Sequence, residues 1–117
     1  MGGKGFRKFS SVMTTIDGIK FRSKAEAKRY GELKLLEKAG EIQHLELQPA
    51  FTLTAHGKKL SKYVADFRYD RRVIHEGGAS MWTSTIEDVK GMLTPLYRLK
   101  KKWVELEYGI AITEITR

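Results

Sequence analysis

The segment Ile86-Glu87-Asp88-Val89-Lys90-Gly91 carries the sharpest chemical signal in the chain. In a strand, Asp88 and Lys90 project to one face and Glu87 and Val89 to the other. A carboxylate and an ammonium two residues apart at a strand end suit a metal ligand beside a cation that orients a nucleophile or steadies transition-state charge. The same triplet on an exposed strand is also an ordinary i, i+2 ion pair. Asp66 adds weight, because it stands in the apolar run Tyr63-Val64-Ala65-Asp66-Phe67. A carboxylate is costly to bury there unless it is paired or bound to a metal; a buried arginine partner or a capped turn would also account for it. If the strands bearing Asp66 and Asp88 form a hairpin around Gly77-Gly78, the two carboxylates lie side by side, as a hard divalent cation requires. Mg²⁺ keeps several waters, one of which can attack a phosphodiester.

Glu26 is the third acidic candidate. On a helical wheel it falls beside Tyr30 and Leu33, inside the apolar stripe. Two reasons fit equally. Ser23-x-x-Glu26 reads as a capping box, with the carboxylate reaching back to the Ser23 amide. Alternatively, Glu26 faces the sheet and joins Asp66 and Asp88 around a metal.

The elements that must position these groups follow from pattern and punctuation. Asp17-Gly18 between Ile16 and Ile19 predicts a small hairpin. From Ser23 to Ala39 the chain is rich in Ala, Leu, Glu and Lys, a helix stopped by Gly40. Pro49 opens a β region in which Phe51 and Leu53 alternate with Thr52 and Thr54. Residues 60–69 alternate as a second strand, and residues 80–90 form a third, ended by Gly91. Thr94-Pro95 starts a second helix with Thr at the N-cap and Pro at the first helical position. Its apolar stripe is Leu96, Leu99, Trp103 and Leu106, and Gly109 closes it. Residues 110–115 alternate as a last strand, and a strand–helix–strand unit of this length favours a parallel pair. The expected architecture is α/β: one domain, a mixed sheet in the core order α-β-β-β-α-β. Trp82 and Trp103 are expected mostly in the core.

Composition narrows the function classes. With 117 residues the chain makes one domain. Residues 1–15, with Lys4, Arg7 and Lys8, read as a flexible basic arm with no secretory signal, and residues 16–117 as the folded domain. No apolar run approaches the roughly 18 residues of a membrane span, so no membrane partner is expected. The absence of cysteine excludes disulfides, thiolate zinc sites and cysteine nucleophiles, and is compatible with the cytoplasm. There is no Gly-rich phosphate loop to hold a nucleotide cofactor. His44, His56 and His75 are scattered, without metal-ligand spacing. Twenty-two Lys and Arg against 14 Asp and Glu, net +8, point to a polyanionic partner, nucleic acid above all. Lys20, Arg22, Lys24, Lys28 and Arg29 cluster around the start of the first helix, and Arg98, Lys100, Lys101 and Lys102 decorate the second. Two basic faces flanking an acidic centre suit a phosphate backbone crossing it.

Asp66…Asp88-Val89-Lys90 in this element order resembles the PD-(D/E)XK nuclease superfamily. More specifically, the chain is similar to a family of small phage-type proteins grouped with Holliday junction resolvases. The similar stretches are Asp17-Gly18-Ile19-Lys20-Phe21-x-Ser23-Lys24-x-Glu26-Ala27, Leu33-Lys34-Leu35-Leu36, Tyr63-Val64-Ala65-Asp66-Phe67, Glu87-Asp88-Val89-Lys90-Gly91 and Thr94-Pro95-x-Tyr97-x-x-Lys100. The superfamily's proline before the first Asp is Ala65 here. The resemblance implies a restriction-endonuclease-like domain that cleaves DNA with Mg²⁺, for which Mn²⁺ substitutes. Asp66, Asp88 and the Val89 carbonyl would hold the metal, Lys90 would orient the attacking water, and Glu26 would match the superfamily's helix carboxylate. The Glu87-Asp88 pair leaves the ligand to strand register, and parity with Lys90 favours Asp88. The expected substrate is branched DNA, a four-way junction in particular; the alternatives are a nicking nuclease of recombination or repair with another substrate, and a DNA-binding module that keeps the fold without cutting. Two symmetric cuts would call for a homodimer, working in the cytoplasm, the host's if the chain is phage-encoded.

Overall fold

The computed structural model describes residues 14–90 and 93–116. The expected basic arm lies outside the described residues as far as residue 13, and so does the Gly91 stop. Residues 14 and 15, expected in that arm, already belong to β1 (Thr14–Ile16), which pairs with β2 (Ile19–Phe21) around Asp17-Gly18. The first helix, α1 (Lys24–Lys38), starts at Ser23, whose Oγ accepts the Glu26 N–H at 3.1 Å. It ends before Gly40, whose φ of 79° suits a residue without Cβ.

Between α1 and the second helix run five strands, where the sequence pattern suggests three. β3 (Ile42–Leu47) was not anticipated, because His44 sits in a register shift that breaks its alternation. The single strand expected over residues 60–69 is two, β5 (Lys58–Val64) and β6 (Phe67–Ile74), divided at Ala65-Asp66. β5 pairs with β4 (Ala50–Ala55) as a hairpin. β6 pairs antiparallel with β7 (Ser80–Lys90) around the Gly77-Gly78 loop. The second helix, α2 (Pro95–Tyr108), is capped by Thr94, whose Oγ1 accepts the Tyr97 N–H at 3.1 Å. β8 (Ile112–Thr116) then returns parallel to β7.

The result is a mixed α/β domain with a central sheet ordered β3-β6-β7-β8. One face of that sheet packs on α1: Phe67 and Tyr69 meet Ala27, Tyr30 and Leu33, with Phe21 from the first hairpin. The other face packs on α2 and the β4–β5 hairpin, where Ile86 and Ile112 meet Val104, Phe51, Leu53 and Tyr63. The leucines of the α2 stripe expected in the core are turned the other way. Leu96, Leu99 and Leu106 are exposed, and Val104, with Tyr97 and Trp103 beside it, faces the sheet. Trp82 is also exposed, on the part of β7 that extends beyond β8. No described helix is long and apolar enough to cross a membrane.

Candidate functional site

The site begins where two strands part. Pairing between β6 and β7 ends at Phe67–Glu87, yet β7 runs on to Lys90 against β8. Beyond the last pair the chain before β6 turns aside toward the β4–β5 hairpin, opening a fork. Asp66 stands at its apex. Its N–H bonds to the Glu87 carbonyl at 3.0 Å. Alternation aims the N–H and C=O of Val89 toward the same edge as those of Glu87, into the fork and past the last β6 partner. Asp66 Oδ2 accepts that stranded Val89 N–H at 2.7 Å. The other oxygen, Oδ1, lies 4.0 Å from Arg22 Nη2. Asp66 therefore secures the strand end and still presents a carboxylate edge to the fork.

Glu26 comes to the same place from α1. Oε1 accepts the Arg22 N–H at 3.2 Å, so the carboxylate does serve the helix start, one residue earlier than a standard capping box. It is also buried beside Asp66. Burial first, and then the neighbouring Asp66 charge, raise its pKa, partly offset by the Arg22 N–H and guanidinium. One conformation thus serves the helix start and sets Glu26 beside Asp66. Glu26 and Asp66 share a cavity of about 140 Å³ whose wall includes Lys20, Phe21 and Gln48.

The neighbouring acids part to opposite faces. Glu87, opposite Phe67, points to α1 and is buried against Arg29, with Nε to Oε1 at 2.8 Å and Nη2 to Oε2 at 2.7 Å. The Tyr69 hydroxyl donates to Oε2 as well. Burial and this bond push the Tyr69 phenol up to about 12, and Glu87 raises the Arg29 pKa further. Asp88 shares the Ile86 face, the α2 side, and is 0% exposed. It acts electrostatically on Tyr97, whose phenol is raised by burial, by its 3.0 Å hydrogen bond to Glu114 and then by the Asp88 charge. Lys101 Nζ sits 3.5 Å from Glu114 and 3.8 Å from Glu105.

The structure therefore brings Glu26, Asp66 and the Val89 backbone together, and carries Asp88 to the fork on a strand whose alternation turns its side chain toward α2. Lys90 follows two residues on in β7; its side chain lies outside the described ones. Among the described residues no three His, Cys, Asp or Glu side chains are grouped closely enough to hold a metal ion. Two adjacent carboxylates fit the weaker demand of Mg²⁺, which is commonly held by one or two carboxylates and keeps waters elsewhere. Of the basic candidates, Lys20 lines the cavity and Arg22 flanks it, with Lys24 and Lys28 exposed nearby. Arg98 and Lys102 are exposed on α2, with Lys100 half-buried. Arg29 is turned inward to Glu87 and Glu32, and Lys101 is engaged by Glu105 and Glu114, so neither offers an open charge to DNA. His44 bonds Asp70 on the surface, away from the fork. Gln48 was not singled out from the sequence, where Gln48-Pro49 reads only as a strand boundary. No curated protein and no solved structure matches the chain. Residues 6–117 match the family described as "Protein of unknown function (DUF1064)", and the chain belongs to that family.

Proposed function

We propose that this chain is a Mg²⁺-dependent DNA endonuclease with a restriction-endonuclease-like fold of the PD-(D/E)XK type. The observation that carries the reading is the fork. Asp66 sits at its apex next to Glu26 and is tied to Val89, the middle residue of Asp88-Val89-Lys90. Asp66 and Glu26 would hold the cation, with the Val89 carbonyl as a further oxygen donor. When bound, such an ion supplies charge neutralisation at a phosphate and lowers the pKa of water.

The protein's own groups then have defined tasks. Lys90 orients the attacking water and offsets charge building on the phosphate oxygens. Arg22 and Lys20 draw the DNA backbone to the acidic fork, and Lys24, Lys28, Arg98, Lys100 and Lys102 extend the grip. Water adds to phosphorus as the opposite P–O bond breaks, and the leaving oxygen takes up a proton. Branched DNA, cut symmetrically by a two-fold dimer, is the proposed substrate.

Cleavage of matched linear, flap and four-way-junction DNA in Mg²⁺ or Mn²⁺ tests this. Asp66→Asn and Lys90→Ala should each lower cutting by about 10²–10³-fold. Parent-like cutting by both variants would overturn the site, whereas equal cutting of linear and branched DNA would remove only the structure selectivity.

A further inference from the structure

Among the described residues, the non-glycine positions with positive φ are Asp17 (54°), His44 (58°), Gln48 (53°) and His56 (52°). Three have local reasons. Asp17 and His56 each precede a glycine at a two-residue hairpin tip, where the turn demands left-handed backbone. His44 lies in the β3 register shift. Gln48 stands instead at a corner between sheets. β3 ends on Leu47, paired with Phe67, and β4 begins on Ala50, paired with Val64. Gln48-Pro49 and Ala65-Asp66 change sheets side by side, joined by Gln48 N–H to Asp66 O at 2.9 Å and Ala65 N–H to Pro49 O at 3.0 Å.

That corner explains the backbone but not the side chain. Glycine takes this conformation freely and asparagine takes it readily, while glutamine takes it only at a steric cost. The following proline narrows its choices further. Gln48 is exposed and is one of the residues lining the cavity of Glu26 and Asp66. A phosphate approaching two carboxylates meets repulsion. An amide N–H can hold it without the positive charge that would compete with a cation for those carboxylates.

We propose that Gln48 is a positioning residue whose side-chain amide donates a hydrogen bond to a phosphate oxygen of the DNA strand seated over Glu26 and Asp66. This rests on the nuclease reading of the fork.

Gln48→Asn and Gln48→Gly separate the two possible roles. Both relax the backbone. The first keeps an amide one methylene too short, and the second has none. A purely conformational role gives variants that melt no lower than the parent and bind DNA as it does. The proposal expects the same or higher melting temperature with Kd about tenfold weaker, as for loss of a hydrogen bond to a charged group. The probe is a fluorescein-labelled four-way DNA junction in Ca²⁺. Parent-like affinity in both variants overturns the role of Gln48, and so does a parent that does not bind the junction. Asp66→Asn assayed for cutting in Mg²⁺ separates the outcomes: if it cuts like the parent, the nuclease reading falls while the affinity comparison still decides the phosphate contact.

Discussion

Arg29 and Glu87 form a two-pronged ion pair across α1 and β7, Nε to Oε1 at 2.8 Å and Nη2 to Oε2 at 2.7 Å, with Glu87 1% exposed. Tyr69 adds a third donor to the same carboxylate. The pair fixes which way β7 faces, since holding Glu87 against α1 sends Asp88 to the opposite side. A buried carboxylate that loses its partner keeps the full desolvation penalty. Arg29→Ala should therefore destabilise the fold by about 3–5 kcal/mol. Arg29→Met combined with Glu87→Leu should recover most of that loss. Urea denaturation of the three proteins checks it; a double variant no better than Arg29→Ala would show that shape, not charge, holds the contact.

Glu26 gives the pH dependence its sign. Burial and Asp66 raise its pKa in the folded state above the ordinary value of 4.5. The folded protein thus binds this proton more tightly than the unfolded chain does. Its contribution is fully present below the ordinary glutamate pKa and is lost as pH rises through the higher folded value. In EDTA, Glu26→Gln should match the parent's melting temperature at acid pH and exceed it near neutrality. A Glu26→Gln profile parallel to the parent's across that window would remove the proposed carboxylate repulsion.

Much of this frame was legible in the residues. The Ser23 and Thr94 caps, the Asp17-Gly18 turn and the β7–α2–β8 return are written in local chemistry that tertiary packing had no cause to override. The split at Asp66 was not, because alternation from Tyr63 to Tyr69 continues across it; only the rival pairings to β4 and β3 show that the chain changes sheets. Periodicity likewise failed for α2. Leu96, Leu99 and Leu106 make the greasier edge of the stripe, yet the sheet takes the face with Tyr97, Trp103 and Val104, where Tyr97 finds Glu114 and Glu107 bonds Thr54 on the β4–β5 hairpin. At the site, residue type identified the acids, but only the fold tells that Glu26 and Asp66 are neighbours and that Arg29 belongs to Glu87.

Asp66 has a structural task and a proposed chemical one, and substitution can part them. Asparagine keeps an oxygen that accepts the Val89 N–H, whereas leucine leaves that group unsatisfied at about 1–3 kcal/mol. Asp66→Asn should thus fold nearly as stably as the parent in EDTA, and Asp66→Leu should not. Mg²⁺ should then raise the parent's melting temperature, by the equivalent of about 2.7 kcal/mol at a hundredfold excess over Kd, and leave Asp66→Asn unmoved. An equal Mg²⁺ shift in the parent and in Asp66→Asn would place the ion elsewhere.

The two faces of α2 differ enough to be told apart by substitution. Val104 is 0% exposed between Phe51, Ile86 and Ile112, whereas Leu99 is 58% and Leu106 78% exposed. Removing two methyl groups from the Val104 site forfeits about 0.8 kcal/mol each in transfer free energy, with a cavity penalty added. Val104→Ala should then cost about 2 kcal/mol. Leu99→Gln and Leu106→Gln, altering groups that stay in water in the single chain, should each move stability by no more than about 0.5 kcal/mol. Chemical denaturation at low protein concentration reads all three. Gel filtration of the same variants gives the stripe a second measurement, because a pair of copies meeting on this face would dissociate when Leu99 and Leu106 become polar. Stability that fell with Leu106→Gln as far as with Val104→Ala would put α2 on the sheet by its other face, and with it the Tyr97–Glu114 contact beside Asp88.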